Sequence, residues 1–170
     1  MLQKLNFFDY ILDSQNIDTL LNDATLLCDD LTKGVLQSLD IADYHYNPQE
    51  AVEELGIDLE LVNQLVDDYV AQVIRSIMQF EVYLEDLYTS QNKNEKMDYT
   101  PFRELAHKNL GVARNLRIKD AEKLLYELMK KEDLEYLVTC LEALKVCAIK
   151  LRPKCAFDTI RLIHVKNSFE

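Results

Sequence analysis

The stretch from Asp58 to Met78, DLELVNQLVDDYVAQVIRSIM, decides the fold class. Its apolar residues Leu61, Val62, Leu65, Val66, Tyr69, Val70, Val73, Ile74, Ile77 and Met78 recur at intervals of three and four, which lays one apolar stripe along an α-helix. Asp58 is a suitable N-cap, and the pattern continues to about Tyr88, making this the longest strut of the molecule. With only 3 Gly and 3 Pro among 170 residues, and 48% apolar content, the chain is long enough for one packed domain and poor in turn and sheet formers. An all-α fold follows.

Working towards the N-terminus, Gln49 to Leu55 reads as a short helix ended by Gly56, and Ile41 to Pro48 as a turn-rich connector. Before it lie two helices, about Asn6 to Leu12 and Asp18 to Leu39, the second carrying Leu20, Leu21, Leu27, Leu31 and Leu36. Towards the C-terminus, Ser90 to Asp98 is polar and loop-like, and Thr100-Pro101 starts a helix with an N-cap followed by proline in the first turn. That helix ends near Arg117. Asp120 to Lys131 forms the next, with Leu124, Leu125 and Leu128 on one side. Asp133 caps a last one, with Leu134, Leu137, Leu141, Leu144 and Ile149 inward, which Pro153 stops after Leu151. In the tail, Ala156 to Val165 fits either a helix packed back on the rest or a strand. Short connections make consecutive helices antiparallel, so residues 58–151 describe an up-and-down antiparallel four-helix bundle. The expected division is an N-terminal helical extension (1–48), a helical bundle (49–152) and a C-terminal tail packing on it (153–170).

A formal net charge of −11 repels nucleic acid over most of the surface. No run approaches the roughly 20 apolar residues that span a bilayer, and the first ten residues lack the apolar segment of a signal peptide, so a cytoplasmic protein without membrane attachment is expected. Cys28, Cys140, Cys147 and Cys155 show no paired metal spacing and read as reduced, packed thiols. His45 and His164 stand in no ligand set either; no metal or other cofactor is expected.

The chemistry concentrates in the helix that Pro101 opens. At about 100° per residue, with His107 at zero, Phe102, Leu105, Val112, Ala113 and Leu116 fall between roughly 120° and 240°, so the core lies there and His107 points to solvent. Arg103 and Arg114 lie within about 40° of it, Gly111 sits one turn later, and Lys108 and Arg117 flank the strip. Between Thr100 and Ile118 the net charge is +3, leaving −14 on the rest of the chain. Glycine inside an exposed helix costs about 1 kcal/mol relative to alanine, while it removes the side chain that would crowd the turn above His107. A neutral imidazole is a nucleophile near pH 7, and attack on an acyl phosphate gives a phosphohistidine whose phosphoryl group can be passed on, with arginine and lysine steadying the dianion. No Gly-x-Ser-x-Gly elbow or phosphate-cradling glycine loop is present, so a carrier fits better than a kinase or hydrolase.

Over about residues 51–151 the chain resembles the histidine-containing phosphotransfer domains of multistep phosphorelays. Ala106-His107, Gly111, Ala113 and Leu116 match that family's motif in register, and the segment from Ala121 to Leu128 looks like the helix that follows. The resemblance implies that His107 carries the phosphoryl group on a ring nitrogen. It also implies a partner that is the receiver domain of a response regulator or hybrid histidine kinase, with any magnesium belonging to that receiver. Arg103, Lys108, Leu110, Gly111 and Arg114 are the expected phosphoryl- or partner-binding residues, and Gln72, Ser76 and Gln79 of the long helix the adjoining polar contacts; a monomer or weak dimer is expected. Three positions depart from the motif: Leu110 where lysine is usual, Asn109 where an apolar residue is usual, and Arg117 in place of the closing glycine. Leu110 is read as an exposed docking contact for a receiver, the alternative being that the N-terminal helices cover it. Asn109, near the middle of the buried face, requires a hydrogen-bond partner. The competing reading is a phosphorylation-deficient adaptor that binds a receiver or kinase through the same surface.

Overall fold

Every polar backbone group of a long apolar-striped chain must find a partner, and here helices supply nearly all of them. The structure is a computed structural model describing residues 4–10 and 16–168. Among these the α-helices are α1 (Asn16–Lys33), α2 (Gln49–Leu55), α3 (Leu59–Asn92), α4 (Thr100–Asn115), α5 (Lys119–Lys130), α6 (Leu134–Leu151) and α7 (Pro153–Ser168), with 3₁₀ turns at Phe7–Tyr10 and Gln37–Leu39. No strand occurs among the described residues. None of these helices is long and apolar enough to cross a membrane.

Local chemistry sets most of the boundaries. Asp58 caps α3 by accepting the Leu61 N–H at 2.8 Å, and Asp133 caps α6 by accepting from Tyr136 at 3.2 Å. Gly56 closes α2 in the left-handed conformation at φ 65°, where its amide reaches back to Val52 O. Thr100 is the first residue of α4 rather than its cap; Asp98 accepts the Thr100 N–H instead, at 3.0 Å. Pro153 ends α6 because it has no N–H to donate, and the same property makes it the first residue of α7, so the tail is a helix. The second N-terminal helix stops at Lys33, short of Leu39: a Cβ on Gly34 would lie 2.7 Å from Asp30 O, and the chain turns there. Of the first expected helix, Phe7–Tyr10 is a 3₁₀ turn and the part beyond Tyr10 lies outside the described residues.

Packing forms a closed cycle in which α3 contacts α4, α4 contacts α5, α5 contacts α6 and α6 contacts α3. Outside it, α1 packs on α6, and α7 on α3, α6 and α1. Because α6 is approached from so many directions it is apolar nearly all round, and even Glu142 and Lys145 are buried in it. Those two form an ion pair at 2.8 Å and grip the backbone of the N-terminal segment, Glu142 Oε2 accepting the Leu5 N–H and Lys145 Nζ donating to Leu5 O, each at 3.2 Å. The core cluster is continuous from Leu20, Ala24 and Leu31 of α1 to Ala156 and Phe157 of α7.

Candidate functional site

Two contacts with α3 set the rotation of α4, and hence what it shows to solvent. Phe102 meets Phe80 edge-on with centroids 5.0 Å apart, the usual geometry for a buried aromatic pair. About two turns later Asn109, which is 0% exposed, directs its amide at α3. Its Oδ1 accepts from Gln72 Nε2 at 3.2 Å and Ser76 Oγ at 3.3 Å, and its Nδ2 donates to Ser76 Oγ at 3.0 Å and to Leu105 O at 2.9 Å. The hydrogen-bond partner that a buried amide requires is therefore supplied by α3. Rotating α4 would strand that amide at about 1–3 kcal/mol, so the pair acts as a register key.

With this key engaged, the buried residues of α4 and its C-cap are Phe102, Ala106, Asn109, Leu110, Ala113 and Leu116. At about 100° per residue they span roughly 180° to 300° from His107, an arc about 60° away from the one expected from Phe102, Leu105, Val112, Ala113 and Leu116. Leu105 and Val112 are consequently only half-buried. The expectation that Leu110 is an exposed docking contact is overturned: it is 2% exposed, on a helix that packs against α3 and α5. Ser76 is likewise not a free polar contact; it is buried against Asn109, Gln72 is half-buried beside it, and Gln79 remains exposed.

His107 is exposed, as are Lys108, Gly111 and Arg114. The arginines of this helix and its end meet acids. Arg103 pairs with Glu132 and lies over the Tyr99 ring at 5.0 Å, Arg114 Nε is 3.6 Å from Glu122, and Arg117 makes a two-pronged pair with Glu54. Three acids from outside the segment thus offset the local charge excess of three. Lys108 has no ion-pair partner within 4.0 Å among the described residues. Exposed pairs of this kind contribute about 0–1 kcal/mol, so Arg114, loosely held and 58% exposed in its side chain, is free to turn towards an arriving anion. Arg103 is less free: two partners hold it, and its buried Nε finds no acceptor among the described residues.

Gly111 has no internal reason to be glycine. Its φ is not positive, and a Cβ built on it meets nothing within 4 Å. The residue that does adopt a glycine-like conformation is Arg117, at φ 60°, directly after α4. This end is held from a distance: Tyr46 Oη donates to Leu116 O at 2.7 Å, Tyr44 Oη donates to Arg117 O at 3.0 Å, and Lys119 N–H donates to Tyr44 Oη at 3.1 Å. Burial pushes the Tyr44 phenol up to about 12, so it remains a donor at any physiological pH. The two tyrosines stand in the connector, and nothing in local sequence spacing links them to α4. No group of three or more His, Cys, Asp or Glu suited to hold a metal is found among the described residues. No family model, curated protein or solved structure matches the chain.

Proposed function

We propose that the chain is a histidine phosphotransfer protein of a two-component phosphorelay, in which His107 takes a phosphoryl group from a receiver-domain aspartate and returns it to another. The observation that carries this reading is the pairing of an exposed histidine with a glycine one turn later that the chain itself does not need. A ring nitrogen of His107 attacks the acyl phosphate, the N–P bond forms as the P–O bond to the aspartate breaks, and the carboxylate leaves. Lys108 and a redirected Arg114 are the cations nearest to hand for the phosphoryl oxygens. The bare backbone at Gly111 leaves room for the receiver surface beside the reacting atoms. The closed packing cycle of α3, α4, α5 and α6, with links of three residues after α4 and after α5, supports an up-and-down four-helix arrangement for this unit.

The second reading is an adaptor that binds a receiver without accepting phosphate. The burial of Leu110 where the resembled family carries lysine, and the pairing of Arg103 with Glu132, favour it. Incubation with a phosphorylated receiver separates the two: acid-labile, base-stable label on the wild-type protein, absent from His107→Gln, is the expected result. Label that persists in His107→Gln refutes the site. Receiver binding without any label identifies the adaptor.

A further inference from the structure

Away from α4, two thiols meet. Cys28 of α1 and Cys147 of α6 lie with their sulfurs 3.9 Å apart, and Lys150, one turn further along α6, holds its Nζ 3.8 Å from Cys28 Sγ. Both sulfur-bearing residues, Lys150 and Asp120 line a cleft of about 330 Å³ whose other wall is the connector around Tyr44 and Tyr46. We propose that Cys28 and Cys147 form a reversible dithiol–disulfide site that reacts with hydroperoxides, Cys28 as the attacking thiolate and Cys147 as the resolving thiol.

A reactive thiol needs its ionised form stabilised, a path for the oxidant, and a second thiol within reach. Cys28 has all three. The adjoining Cys147 thiol and then the Lys150 ammonium bring it down to about 7, against burial and the carboxylates of Asp120 and Asp29. Cys147 moves the opposite way, raised by its contact with Cys28 and by burial, so of the two it is Cys28 that ionises first. The other cysteines lack this setting. Burial pushes Cys140 up to about 12, and Cys155 is raised by burial while its thiol donates to Asp67 O at 3.2 Å.

In the first step the Cys28 thiolate attacks the hydroperoxide, an S–O bond forms and the O–O bond breaks. The departing oxygen takes a proton and leaves as water or an alcohol. In the second, the Cys147 sulfur attacks the sulfenic sulfur of Cys28, the S–O bond breaks, and the expelled hydroxide takes the Cys147 proton and leaves as water. Two thiols are oxidised and one peroxide is reduced, two electrons passing between them. Closure from 3.9 Å to the roughly 2.05 Å of a disulfide brings the two sulfurs about 2 Å closer. The product fastens α1 to the helix at the centre of the packing.

The full-length protein is treated with hydrogen peroxide, its remaining thiols are blocked, and its peptides are mapped without reduction. A Cys28–Cys147 cross-linked peptide that disappears on treatment with dithiothreitol is expected, with Cys140 and Cys155 left as free thiols. In Cys147→Ser the reaction stops at a Cys28 sulfenic acid trapped by dimedone. Without peroxide, iodoacetamide modifies Cys28 with a midpoint near pH 7, and Lys150→Met slows that modification about tenfold at neutral pH by lowering the thiolate fraction. Oxidation that bypasses the pair, or that reaches Cys140 and Cys155 at the same rate, overturns the proposal. So does a Cys28 reactivity indifferent to Lys150; the wild-type protein alone, with Cys140 as internal reference, decides the point should a variant misfold.

Discussion

Replacing Gly111 by alanine tests two arguments at once, one about the helix and one about its partner. Position 111 is interior to α4, its φ is not positive, and a Cβ there meets nothing within 4 Å. The substitution adds no clash and removes the entropic penalty of glycine, about 1 kcal/mol in a helix interior. For a chain of 170 residues that corresponds to a rise in Tm of about 2–4 °C, read by circular dichroism and checked by urea unfolding. Gly56 supplies the control: its Cβ would also meet nothing within 4 Å, yet its φ is 65°, so Gly56→Ala lowers stability by about 1 kcal/mol. The second readout is transfer from a phosphorylated receiver. The new methyl group stands one turn from His107 on the face where the proposed function docks a receiver, and overpacking at a tight contact costs about 1–3 kcal/mol, so transfer on that reading slows by about tenfold or more in a protein that is more stable than the wild type. A lower Tm for Gly111→Ala refutes the claim that the position is open. Undiminished transfer in a stabilised Gly111→Ala refutes the claim that the glycine serves a partner.

Four further outcomes follow from the packing and the charges. A double-mutant cycle on Asn109→Ala and Ser76→Ala gives a coupling of about 1 kcal/mol in urea unfolding, because removing either side leaves the other buried and unpaired; additive losses would show that the amide does not key α4 to α3. Arg117→Gly raises the unfolding midpoint, since relief of a left-handed arginine outweighs an exposed pair with Glu54; a lower midpoint would mean that the pair dominates. Lys145→Met destabilises by about 3–5 kcal/mol in urea unfolding, as it strands the buried Glu142 carboxylate and frees the Leu5 carbonyl; a loss below about 1 kcal/mol would show that water reaches the pair. Burial raises the carboxyl of Asp120 above its ordinary range, so the folded state holds that proton more tightly than the unfolded chain does. The contribution of Asp120 is therefore favourable at acid pH and lost as pH rises through the raised value, and Asp120→Asn gains stability relative to wild type across that rise; parallel curves would refute it.

Most helix boundaries were legible because they depend on neighbours in sequence, the end of α1 and the cap of α4 being exceptions. Asp58, Gly56, Asp133 and Pro153 act through their own or adjacent turns, and each stops or starts a helix where its chemistry requires. The facing of α4 was not, because Ala106 and Leu110 were not counted towards its core. Asn109, at about 200° and bonded to Gln72 and Ser76, already lay on the expected buried face; it is Ala106 at about 260° and Leu110 at about 300° that carry the buried arc on by about 60°. A signal did exist: Gln72 and Ser76 stand four apart on α3, a polar pair beside its apolar stripe, facing the one amide on α4 that needs them. The arginine partners Glu54, Glu122 and Glu132 left no such trace. An exposed ion pair requires no periodicity, so the basic strip read from residues 100–118 could be corrected only by the fold.

Tyr44 and Tyr46 give the connector a standing in the thermodynamics of the histidine helix. Their hydroxyls satisfy carbonyls at the end of α4 that would otherwise turn to water, so ordering the connector and ordering the last turn of α4 are coupled equilibria. Coupling of that kind is reciprocal: whatever tightens or loosens the segment from Ile41 to Pro48 shifts the fraying of α4 by the same free energy, and a ligand that steadies α4 steadies the connector in return.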